Sequence, residues 1–150
     1  MTEKEMNVTE GSLTVKERVA ICFAAGVIGA VAVVICSYVL FGLGLSSALG
    51  IKAPISLKSP DIYKPLFWGG LWGLPFGLLV KPAWKHLYLF GLLYFLAPVL
   101  ALFLIFLPLS GAGYFGLHQG PKFTLYLLLV NLPFGIITAL AARAIIGRHP

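Results

Sequence analysis

VAICFAAGVIGAVAVVICSYVLFGLGL, residues 19–45, carries no charged side chain from end to end. As an α-helix at about 1.5 Å per residue it would be about 40 Å long. That exceeds the roughly 30 Å of bilayer hydrocarbon, so it crosses with some tilt. A cleaved signal peptide has a basic start and a much shorter apolar core. Although Ser46-Ser47-Ala48 resembles a cleavage site, the run is too long for that role and reads as an uncleaved signal anchor.

The rest of the chain repeats this lesson. Of 150 residues, 59% are hydrophobic and 11% charged, with a mean hydropathy of +0.96. Soluble domains run at roughly 45–50% apolar and about 25% charged, and a globule this small leaves too much surface wet to hide such a composition. Three further apolar runs follow, at 62–80, 87–109 and 123–142, each bounded by Lys, Arg, Pro or Gly. The predicted fold is therefore an all-α integral membrane protein, a four-transmembrane-helix bundle. It is preceded by a polar tail over residues 1–18 and occupies 19–150 as a single membrane domain.

The tail holds four of the five carboxylates, Glu3, Glu5, Glu10 and Glu17. Thr14-Val15-Lys16-Glu17 has the spacing of a capping box and predicts that the first helix starts beside Thr14. Lys and Arg set the orientation. Lys4, Lys16, Arg18, Lys81, Lys85, Arg143 and Arg148 lie on one face, and Lys52, Lys58, Lys64 and Lys122 on the other. The excess places both termini in the cytoplasm, with Trp84 as an interfacial anchor on the inner side and Tyr63 and Trp68 toward the outer side. Size and composition point to a bacterial inner membrane. The cations form no continuous stripe of the kind that follows a nucleic-acid backbone, so membrane lipids are the expected polar partners and nucleic acid is not.

A shift of 58 residues aligns Gly73-Leu-Pro-Phe-Gly-Leu-Leu79 with Asn131-Leu-Pro-Phe-Gly-Ile-Ile137, and pairs Lys64 with Lys122 and Trp68 with Tyr126. Both copies run from the outer to the inner face, which predicts two helical hairpins in a parallel-topology internal repeat. Lipid supplies no hydrophobic force between helices, so small residues that let backbones approach carry much of the packing. Gly69, Gly73 and Gly77 form one such stripe, Asn131, Gly135 and Ala139 another. In the first span Ala25 and Gly29, or Gly26 and Ala30, offer the same spacing.

Pro75, Pro98 and Pro133 fall well inside spans and predict kinks, with room for a mid-membrane cavity between bent helices. Asn131 is the one amide inside a span, and the cost of an unpaired amide in hydrocarbon turns it toward the bundle, to an interhelical hydrogen bond or a polar ligand head. Trp72, next to Gly73 in the second apolar run, is a second candidate binding residue. Asp61 and His118, in the two outer loops, are the candidate polar pair there.

Intramembrane catalysis needs ionisable groups, and the four runs contain no Asp, Glu or His, with Lys64 only at an edge. No metal site or haem ligation is expected, because His86, His118 and His149 lie outside the runs, and no cofactor is called for. Cys22 and Cys36, fourteen residues apart on one helix, are separated by about 21 Å and cannot bridge each other.

Three functions compete on these grounds. The first is a non-catalytic accessory, assembly or scaffold subunit that meets a membrane-protein partner or a second copy through its helices. The second is a binder or carrier of a lipid-like or other apolar small molecule between kinked helices. The third is an outer-face enzyme using Asp61 and His118.

Overall fold

The computed structural model describes residues 13–147, which are helical with short connections and no strand. Helix α1 is Val15–Gly42 and a single turn α2 is Leu45–Ala48. Helix α3, Tyr63–Ala83, passes through a 3-10 turn at Trp84–His86 into α4, Leu87–Tyr94. The same line continues as α5, Leu96–Ala101, a π-helical stretch Leu102–Phe106, and the short α6, Leu107–Leu109. Helices α7, Pro121–Asn131, and α8, Pro133–Ile146, complete the chain. The first twelve residues of the polar tail, and Arg148 and His149, lie outside the described residues.

Three helical stretches are long and apolar enough to cross a membrane: Val15–Gly42, Tyr63–Leu109 and Pro121–Ile146. The middle one has 47 residues, which as a straight helix would extend about 70 Å. It is not straight. The Tyr94 hydroxyl donates to the Trp72 carbonyl at 2.6 Å, although 22 residues of uninterrupted helix would separate them by about 33 Å. Phe76 stacks on Phe90 and Tyr94, with ring centroids 5.2 and 5.0 Å apart, and Trp68 meets Phe106 at 4.8 Å. The stretch folds back at Trp84–His86, where Pro82 removes a helical N–H just before the turn.

Local chemistry explains the helix boundaries. Thr14 caps α1 with both halves of the capping box in place: its hydroxyl accepts from the Glu17 amide, and its own amide donates to Glu17 Oε2 at 2.9 Å. The helix therefore takes in residues 15–18 of the polar tail. At the far end it closes at Gly42, short of Leu45, because Gly44 adopts a left-handed φ of 75° and starts the separate turn α2. Pro133 divides α7 from α8, yet Leu132 keeps helical angles, so the axis continues with a missing hydrogen bond. The carbonyl that Pro133 cannot reach, Leu129 O, receives the Cys36 thiol at 3.8 Å. Pro75 leaves α3 unbroken, while around Pro98 the line breaks at Phe95 and widens into the π-helical turn.

Glycines set two tight seams. A Cβ on Gly26 would overlap the Gly69 carbonyl, one on Gly73 would overlap the Cys22 carbonyl, and one on Gly77 would come within 2.9 Å of Val19 Cα. The Gly69, Gly73, Gly77 stripe is thus the α1–α3 contact, with Gly26 and Ala30 as its counterpart on α1. Gly29 faces the other way, onto Phe134 and Thr138 of α8. Gly91 of α4 and Gly135 of α8 make the second seam, where a Cβ on Gly91 would sit 2.6 Å from Gly135 O and 2.7 Å from the Ala139 methyl. Helix α1 therefore lies between α3 and α8, and α8 between α1 and α4. The α3–α4 side is closed by aromatic rings instead of backbone.

Arg18 is 5% exposed, and its Nε donates to Gly77 O at 2.9 Å, tying the two helix ends of the first seam. At the opposite end the loop after α2 tucks back onto the bundle. The buried Ser37 hydroxyl donates to Val34 O and accepts from the Ile55 amide at 3.1 Å, while Leu49, Ile51 and Ile55 pack on the core.

Candidate functional site

A cavity of about 320 Å³ lies where the aromatic side of the bundle fails to close. Each helical line contributes to its wall. Ala30 and Val33 come from α1; Pro65, Trp68, Gly69 and Trp72 from α3; Pro98, Leu102 and Phe106 from the returning line; Asn131 and Phe134 from the α7–α8 junction.

The sequence builds this space in three steps. Ala30 and Gly69 are small because they face each other across the first seam, so they leave volume beside the contact. Pro98 and the widened Leu102–Phe106 turn move the returning line away from α3. Trp68 and Phe106 then meet edge to face on its wall, with an interplanar angle of 65°, while Phe76, Phe90 and Tyr94 pack on one another nearer the turn. Trp68 is 40% exposed and stands at the opening.

The lining is apolar except for the Asn131 amide and the indole N–H groups of Trp68 and Trp72. Asn131 Nδ2 donates to Leu127 O at 2.8 Å, four residues earlier on its own helix. The expected interhelical bond is replaced by this local one, because the Leu127 carbonyl lies one turn behind and within reach. That bond also fixes the amide's orientation. A carbonyl can only accept, so the nitrogen must face it and Oδ1 points elsewhere. Among the described residues Oδ1 has no donor.

The expected site residues thus divide. Asn131 and Trp72 line one cavity together, with Pro98 beside them. Gly69 contributes to the same wall, whereas Gly73, Gly77, Gly135 and Ala139 are fully occupied in helix seams. Pro75 and Pro133 flank the wall without lining it.

Asp61 and His118 do not join this group. Asp61 is exposed in the turn before α3, where its carbonyl accepts from the Lys64 amide. His118 Nδ1 lies 3.0 Å from Gly111 O, and its ring covers Gly113, so it is engaged by its own loop. No hydrogen bond or ion pair joins the two side chains among the described residues, and no cluster of three His, Cys, Asp or Glu converges there or elsewhere among them. Helices α2 and α7, beside these loops, do meet, through Lys122 Nζ at 3.5 Å from Ala48 O.

Sequence reasoning missed Gly91, Arg18 and the Trp68–Phe106 contact. Gly91 was findable as the single glycine inside the third apolar run. Nothing in local sequence marks Arg18 as buried, since its burial depends on where Gly77 of another helix lands. Comparison with family models, with curated proteins and with solved structures finds no match to this chain.

Proposed function

We propose that this chain is a four-span protein of a bacterial inner membrane, both termini cytoplasmic, that binds a lipid-like or other apolar small molecule between two helical hairpins. The fold-back at Trp84–His86 supports two crossings by Tyr63–Leu109, each of about the length the bilayer requires. Lys81 and Lys85 at that turn, with Arg18 beside it on the first seam, support the cytoplasmic assignment of the turn. Gly77 and Gly135, equivalent under the 58-residue shift, each seat against the preceding helix of its own hairpin, which supports the repeat.

The observation that carries the binding reading is the cavity itself. Its volume falls at the lower end of the roughly 300–1,000 Å³ typical of small-molecule sites, and aromatic walls with a few placed polar groups are the usual composition of such sites. The small-residue stripes that motivate an accessory or scaffold role lie inside the chain's own seams, so they offer no surface to a partner.

Native mass spectrometry of the protein released gently from detergent tests the proposal. A retained lipid-like mass on the wild type, absent from Leu102→Trp, is the expected result, because the indole fills the space between Pro98 and Phe106. No retained mass on either protein overturns it.

A further inference from the structure

We infer that the occupant is a ring-bearing lipid alcohol, phenol-like at its head, whose hydroxyl donates to Asn131 Oδ1 while its hydrocarbon tail leaves past Trp68 into the bilayer. This rests on the binding role proposed above and adds the chemical class of the ligand.

Three features lead to it. Asn131 Nδ2 is held by Leu127 O, which leaves Oδ1 as the one side-chain acceptor among the residues that line the cavity. An acceptor with no protein donor gains from a ligand donor, so a head that carries an O–H is favoured there. Trp68, Trp72, Phe106 and Phe134 present ring surfaces on several sides, and flat rings meet such surfaces in stacked or edge-to-face contact. Finally, about 320 Å³ admits a ring or two but not a phospholipid with both chains, and the opening beside the 40% exposed Trp68 is where a tail can continue.

The test is a matched pair of brominated probes, a para-alkyl bromophenol and its methyl ether, which share size, ring and tail but differ in the one donor. Quenching of Trp68 and Trp72 fluorescence is read in a Trp84→Phe background in nanodiscs, with probe expressed as mole fraction in the membrane. The expected result is phenol binding about 3- to 10-fold tighter than the ether, the range of one net hydrogen bond, with the ratio falling to about one in Asn131→Leu. Equal affinities in the unsubstituted background overturn the inference and leave the cavity's binding role standing. Failure of both probes to quench above the level of free indole in the same nanodiscs overturns both. Should Asn131→Leu fail to fold, the ratio with Asn131 in place decides the matter alone.

Discussion

The side of α3 that faces α1 and the side that faces α4 and α5 are built on opposite principles. Toward α1, glycines at 69, 73 and 77 bring backbone onto backbone, and there is no room for even a methyl group. Toward the returning line, Phe76, Phe90, Tyr94, Trp68 and Phe106 hold the helices apart on aromatic rings, and a cavity opens beside them. One helix thus carries a seam that excludes every other molecule and a seam that leaves room for one. In lipid, where packing and not water drives association, small side chains give close contact and large ones give spacing.

The contrast predicts unequal responses to mutation. Gly73→Leu should cost about 3 kcal/mol or more, at or above the usual range for overpacking, because the Leu side chain meets the Cys22 and Phe23 backbone, which cannot move alone. Reversible unfolding in mixed micelles would read this as loss of the cooperative transition. Tyr94→Phe, on the open side, should cost only about 0.5–1 kcal/mol, the worth of one hydroxyl-to-carbonyl bond between membrane helices. A Tyr94→Phe loss as large as that of Gly73→Leu would show that the aromatic seam, too, is rigid. Leu102→Trp should change stability least, by less than about 1 kcal/mol, since it fills existing space. A loss of several kcal/mol in the same unfolding experiment would mean that the space is not available to a ring.

The tight seam was legible in sequence, while of the open one only Pro98, Trp72 and Asn131 were. Glycine at four-residue spacing announces itself, because no other side chain permits that approach, and the Thr14–Glu17 capping box located the start of α1. Asn131 stood out for a similar reason: an amide in an apolar run must be accounted for. Its partner was not readable, because the choice between a neighbouring helix and Leu127 O depends on a rotamer. The cavity depends on how far Pro98 and the Leu102–Phe106 turn displace one line from another, which is a property of two helices together. Aromatic residues in a span read as lipid-facing, interfacial or core alike, so the Trp68–Phe106 contact gave no local sign.

The open seam exists only if Tyr63–Leu109 turns at Trp84–His86 instead of continuing. Single cysteines placed at Lys58, Lys85 and Tyr114, in a background with Cys22 and Cys36 replaced by Ala, can be labelled with a membrane-impermeant maleimide before and after the membrane is opened. The account predicts that positions 58 and 114 react from outside while position 85 reacts only once the cytoplasmic face is exposed. Labelling of position 85 from the same side as 58, or its protection under both conditions, would contradict it.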